Sequence, residues 1–369
     1  MKSPFFRSPW HGLTRSFRPD YEGLIRTLLR QGTPERVYFM ELFLDGPICA
    51  GADRHFGITS HLDPRDPDYD LKAHIAIQQF LGYDYVGVPV GGLSLQYKRN
   101  EADNTVAGAP NAKRAWMEEG LGPIGSWADF EAYPWPDVTR VDLSRALRFA
   151  DLLPDGMCLV GRGGHFCENL VWLFGYENLC YQLFDNRELV QAVADRVLEI
   201  ERATWEALLS IDAVRIMWPS DDMGFKTGLM ISPDDMRHFV LSGHREMTAM
   251  AHAAGRPCIL HACGKRDDIL EDLIEDVQFD AIHSFEDTIE RVTESKVAYG
   301  DRMALVGGID VDFLCRADEA AIRRRVRDTL DICQPGGGYA LGSGNSVADY
   351  IPLANYLTML DEGRLYSSY

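Results

Sequence analysis

The chain has 369 residues and a formal net charge of −19, and its 17 Phe, 15 Tyr and 7 Trp supply ample material for a large core, which argues against disorder of the chain as a whole. With no Lys/Arg-rich run to neutralise phosphates, nucleic acid is not expected as a partner, and no stretch reaches the roughly 20 apolar residues of a membrane span. The eight cysteines form no C-x-x-C pair and "MKSPFFRSPWHGLTRSFRPDY" carries no apolar signal segment, so the expectation is a cytoplasmic protein with reduced thiols.

Residues 1–35 are expected to form an N-terminal helical cap, with "YEGLIRTLLRQG" as its helix. Eight apolar segments follow, each closed by glycine or a polar cluster. In order they are "RVYFMELFLDG" (36–46), "YDYVGVPVGG" (83–92), "GMCLVGRGGH" (156–165), "AVRIMWPSDDMG" (213–224), "PCILHACG" (257–264), "FDAIHSFED" (279–287), "RMALVGGID" (302–310) and "GGYALGSGNS" (337–346). Continuous apolar runs bounded by turn residues suit parallel strands buried on both faces.

Residues 93–155, after the second strand, exceed an ordinary connection. They predict an elaborated excursion over the barrel mouth, and exposed-looking aromatics over 115–135 leave room for a homodimer or a lid. Helical patterns separate the later strands. "RELVQAVADRVLEIERATWEALLS" places Leu189, Val193, Val197 and Leu208 close to one face. "SPDDMRHFVLSGHREMTAMAHAAG" opens with Ser232 as N-cap, Pro233 at the first helical position and Asp235 completing a capping-box-like pair, and Gly255 ends it. "ADEAAIRRRVRDTLDIC" is a third helix.

Strands alternating with helices in this rhythm predict an α/β chain folded as a (β/α)8 TIM barrel, a single domain over 1–369. An open doubly wound sheet is the alternative, but no G-x-G-x-x-G follows the first strand.

In a barrel the active site lies at the carboxyl ends of the strands. The polar residues there are Glu41 and Asp45, Arg162 and His165, Asp221 and Asp222, and His261 and Cys263. Glu286 and Asp287, Asp310, and Ser343 and Asn345 complete the ring. Charged groups at the ends of apolar strands cost free energy unless they pair or face a pocket.

His261 and Cys263 stand two apart, so both side chains leave the same face of the strand. A thiol and an imidazole on one face suit zinc, although an isolated H-x-C is more often a small buried hydrophobe and a satisfied core histidine. Glu286, ending the neighbouring strand, offers an oxygen ligand and tips the balance toward metal. Ser343, a weak ligand, is the best placed fourth. Asp221 and Asp222 point to opposite sides of an extended backbone, and either one is the candidate for binding a substrate group or acting as general base. A turn role is the alternative for each, and Asp310 carries the same ambiguity.

Four motifs then point to a family. "DDMGFKTGLMISPDDMRHFV", "HACGKRDDILEDLI", "LVGGIDVDFL" and "GGYALGSGNSVADYIPLANYLTML" occur in an order that resembles the uroporphyrinogen decarboxylase superfamily from about residue 36 onward. "LFGYENLCYQLFDNRELVQAVADRV" is similar to that family's helical segment after strand three. The resemblance implies the same barrel and one of two chemistries. True uroporphyrinogen decarboxylases bind substrate carboxylates with an Arg-rich N-terminal motif. Here "VYFMELFLDGPI" places Glu41 instead, which would repel a polycarboxylate. The other branch, zinc-dependent methyltransferases linked to corrinoids and similar to the methylcobamide:coenzyme M enzymes, carries H-x-C on strand five and a later cysteine. His261 and Cys263 match the first half, and Ser343 stands where the later cysteine would be. The cobalamin-independent methionine synthases, more distantly similar, use a glutamate after H-x-C, and Glu286 matches its spacing.

The resemblance thus implies methyl transfer between a corrinoid on a partner protein and a small molecule. Zinc would be held by His261, Cys263, Glu286 and weakly Ser343. Asp222 is expected to be catalytic, and Glu41, Asp221, Asp310 and Asn345 to bind the substrate. A metal-free lyase or decarboxylase using Asp221 or Asp222 with His283 is the alternative, and a non-catalytic barrel that binds a corrinoid protein is the third reading.

Overall fold

In the computed structural model of the chain, residues 10–103, 113–117 and 120–366 are described, with 99–103 and 113–117 as backbone. The strands among them are β1 (Tyr85–Val88), β2 (Arg99–Asp103), β3 (Lys113–Met117), β4 (Cys158–Gly163), β5 (Val214–Pro219), β6 (Gly224–Phe225), β7 (Gly228–Leu229), β8 (Ile259–His261), β9 (Ala281–His283), β10 (Ala304–Val306) and β11 (Tyr339–Ala340). From β4 onward the main strands alternate with helices, as the apolar runs predict. Two compact units make up the chain. The first takes the chain up to Gly87, Arg148–Val160 and the chain from Asp280, and the second takes Val88–Leu147 and Gly161–Phe279.

In the first unit β10 lies parallel between β9, at Ala304↔Ala281 and Leu305↔Ile282, and β11, at Leu305↔Tyr339 and Val306↔Ala340. The extended segment around Phe39 and Leu44 joins through parallel bridges to Leu341 and Val347. Every residue of β9 and β10 is buried, as expected of parallel strands covered on both faces. Helix Glu319–Cys333 is capped by Asp318 and buries Ile322, Val326 and Leu330, a stripe at helical spacing. The N-terminal helix is Tyr21–Leu28, and the Asp20 side chain accepts from the Gly23 amide at 2.9 Å to start it.

In the second unit β5 and β8 run parallel, bridged at Met217↔Cys258 and Ser220↔His261. Helix Arg187–Leu209 buries Leu189, Val193, Val197 and Leu208, the four predicted positions. Ser232 caps the next helix by accepting from the Asp235 amide at 3.1 Å, with Pro233 beside it. The helix is not regular, however: Met236–Leu241 is π-helical before the α-helical Ser242–Ala253. That widened turn has no signature in the apolar periodicity.

The excursion contains an antiparallel pair, β2 with β3, in register from Arg99↔Met117 to Asp103↔Lys113. Residues 104–112 and 118–119, where part of the predicted exposed-aromatic stretch falls, lie outside the described residues. Of the rest, Trp127, Phe130, Trp135 and Tyr133 form a chain of ring contacts at 5.7, 5.5 and 4.5 Å between centroids. Tyr133 is buried while Trp127 keeps 43% of its surface exposed, so these aromatics mostly cover one another.

All eight cysteines are free of disulfides. Among the described residues no helix is long and apolar enough to cross a membrane.

Candidate metal centre

β5 runs on into Ser220, Asp221 and Asp222, and β8 into Ala262 and Cys263. The two extensions are tied by backbone bonds, Asp221 N to His261 O at 2.8 Å and Gly224 N to Cys263 O at 3.2 Å. Alternation along this extended backbone sends the two aspartates opposite ways. Asp221 turns inward and is fully buried. Its oxygens accept from the amides of Cys167 and Glu168, each at 2.9 Å, and His244 Nε2 lies 2.7 Å from Oδ2. It thereby satisfies the first amide donors of helix Cys167–Phe174. The carboxylate of Asp221, expected to bind substrate, is bonded to these three groups inside the protein.

Asp222 turns the other way and meets His261 and Cys263. Its Oδ1 accepts from the Cys263 amide at 2.8 Å and lies 3.5 Å from His261 Nε2, which is 3.5 Å from Cys263 Sγ. One oxygen, one nitrogen and one sulfur, each able to ligate, all lie within 4.8 Å of one another. Gly264 makes the approach possible: its φ is +85°, and a Cβ there would stand 1.9 Å from the Gly224 carbonyl oxygen. His261 is 4% exposed, so its ring position is fixed by packing. Burial pushes the Asp222 carboxyl up, but hydrogen bonding and charge from His261, together with the thiol and amide of Cys263, outweigh it and hold the group at about 2. Asp222 is therefore an anion at neutral pH. The donor set fits a zinc ion: soft sulfur, borderline nitrogen and hard oxygen suffice for three of four tetrahedral positions.

Ser343, Glu41, Asp310, Glu286 and Asn345 belong to the first unit. Ser343 donates its amide and its hydroxyl to Glu41, each at 2.6 Å. Glu41 itself is buried, and burial pushes its carboxyl up to about 8 against the pull of those two bonds. Asp310 accepts from Phe313 N at 2.8 Å with one oxygen and from Asp287 N at 2.9 Å with the other. It is the cap of helix Val311–Arg316, the turn role that the sequence left open beside substrate binding. Glu286 is half-buried at a turn, its carbonyl accepting from Ile289 and Glu290; the carboxylate in the three-residue cluster is that of Asp222. Asn345 is half-buried after β11. Gly307, at φ +87°, closes on the Ser343 carbonyl, where a Cβ would stand 2.3 Å away.

Two carboxylates of the second unit escaped the sequence reading. Glu168 Oε2 lies 2.8 Å from His165 Nδ1. Glu201 accepts from the amides of Gly164 at 2.7 Å and His165 at 3.3 Å. Burial pushes His165 down, yet the bond to Glu168 and the charges of Glu168, Glu201 and Asp221 lift it to about 9. Glu168 is raised by burial to about 7. The i,i+3 spacing of His165 and Glu168 was a usable signal. Glu201 had none, since an acid within a long amphipathic helix reads as a solvated face.

Residues 167–366 match the family profile of uroporphyrinogen decarboxylase (URO-D). A sequence comparison with curated proteins gives no match. Among solved structures, a methyltransferase from Methanosarcina mazei is similar with a TM-score of 0.66 and 18% identity, over 93% of this chain and 98% of that one. A putative vitamin-B12 independent methionine synthase from Listeria monocytogenes gives a TM-score of 0.45 and 13% identity, over 96% and 98%. The family match and the first of these likenesses give the fold as the TIM barrel that the strand–helix rhythm predicts.

Proposed function

The chain belongs to the uroporphyrinogen decarboxylase family, and from that premise we propose that it is an enzyme of methyl transfer, with zinc held by Asp222, His261 and Cys263. The methyl group would pass between a corrinoid carried by a partner protein and a small acceptor or donor. One observation carries the reading: a thiol, an imidazole and a carboxylate meet within 4.8 Å on adjacent strand ends. The solved methyltransferase of similar fold supports it.

Zinc bound there would supply Lewis acidity, making a thiol or similar acceptor nucleophilic at neutral pH. The chain's own contribution is placement. Asp222 is already ionised and is held by the Cys263 amide, so one ligand oxygen needs no rearrangement. His261 is locked by burial. Both features reduce the ordering needed when ion and acceptor bind, and an in-line transfer gains much of its rate from such positioning. Asp222, expected to be catalytic, is thus proposed as a ligand in place of Glu286.

A second reading, a metal-free lyase or decarboxylase on a small substrate, is favoured by Ser343, which is bonded to Glu41 and stands where the resemblance implies a thiolate. The test is transfer from free methylcobalamin to a thiol before and after chelation. Activity lost on chelation and restored by zinc supports methyl transfer through this site. Absence of transfer, with carboxylate-substrate turnover that survives chelation, supports the second reading instead.

A further inference from the structure

Beside the β4 end of the second unit lies a cavity of about 390 Å³ that the proposed metal centre does not include. Its size is within the range of small-molecule sites. One wall is cationic: Arg162, whose guanidinium lies over the Trp218 ring at 4.3 Å, and His165. The opposite character comes from two rings, Tyr97 and Trp172, in edge contact at 5.2 Å, with His165 tilted against Trp172 at 5.9 Å. The Tyr97 hydroxyl donates to Asn169, which braces the aromatic wall.

Among the described residues that line this space the one carboxylate is Glu201, whose two oxygens lie on the amides of Gly164 and His165. The His165 ring is fixed through Nδ1 by Glu168. We propose that this cavity binds a small molecule with a flat ring and a carboxylate, the carboxylate paired with Arg162 and His165 and the ring against Tyr97 and Trp172. Guanidinium and imidazolium groups in a partly enclosed space favour an anion through charge-assisted bonds. The aromatic wall favours a ring over an aliphatic chain.

The cavity also bears on the reaction. A ring acid bound there is a candidate substrate of the proposed reaction. Its role as the methyl donor or acceptor rests on the methyl-transfer reading; its binding does not.

Benzoate is the probe, with benzamide lacking the charge and acetate lacking the ring, each titrated calorimetrically into full-length protein treated with chelator. The expected result is benzoate binding at least about tenfold tighter than either control. Arg162→Gln would weaken benzoate by a similar factor while leaving benzamide unchanged, and Trp172→Leu would weaken benzoate and benzamide alike. Benzoate no tighter than both controls overturns the proposal, as does benzoate binding indifferent to both substitutions in variants of native circular dichroism. Because metal-free protein is used, binding that persists when no methyl transfer is found keeps this proposal and removes only the reaction.

Discussion

Ser343 gives both of its donors to Glu41, amide and hydroxyl each at 2.6 Å, although 302 residues separate the two in sequence. The serine at the position where the resemblance implies a zinc-binding cysteine is therefore part of a buried carboxyl's shell. The three groups that do cluster, Asp222, His261 and Cys263, all belong to the second unit.

Glu41 makes stability depend on pH. Its carboxyl titrates at about 8 in the folded chain, against an ordinary 4.5. A group raised on folding contributes stability that is complete below about pH 4.5 and lost as pH rises through about 8. Glu41→Gln should remove that slope, which reaches at most about 1.4 kcal/mol per pH unit. Urea unfolding of wild type and variant from pH 5 to 8 measures it. The stability difference should shrink or reverse in the variant's favour as pH rises; parallel curves would show that Glu41 is ionised throughout.

The adjacent aspartates should behave as opposites. Asp221→Ala strands His244 and two helix amides in the interior and should cost about 3–5 kcal/mol, the range for breaking a buried pair. Asp222→Ala loses the bond to the Cys263 amide and the attraction to His261 at a half-buried site, and should cost less, about 2 kcal/mol. Denaturant midpoints compare the two, and equal costs would mean that Asp221 is not the helix anchor described.

Much of this was legible in the sequence. Apolar runs ending in glycine marked the strands, Ser232 and Pro233 marked a helix start, and H-x-C marked two groups on one strand face. Which aspartate of Asp221–Asp222 faces inward was not legible, because alternation fixes their opposition but not its phase. Glu286 was favoured on spacing, whereas the clustered carboxylate comes from Asp222 on the strand paired with β8. The bond from Ser343 to Glu41 and the anchoring of His165 by Glu201 depend on contacts between distant segments that no local pattern records.

Gly264→Ala tests how the cluster is held. At φ +85° an alanine is strained, and its Cβ would overlap the Gly224 carbonyl, so a loss of more than about 1 kcal/mol is expected. The same change should displace Cys263 and lower zinc content. Wild-type stability together with wild-type zinc would show that this turn does not position the thiol.

The most direct measurement is zinc stoichiometry in protein expressed with ample metal and then gel-filtered. The account predicts about one equivalent in wild type and a fall to below about a tenth in His261→Ala and Cys263→Ala, both still folded, because ligand number sets affinity. Less than about a tenth of an equivalent in wild type, or full zinc in either variant, would contradict it.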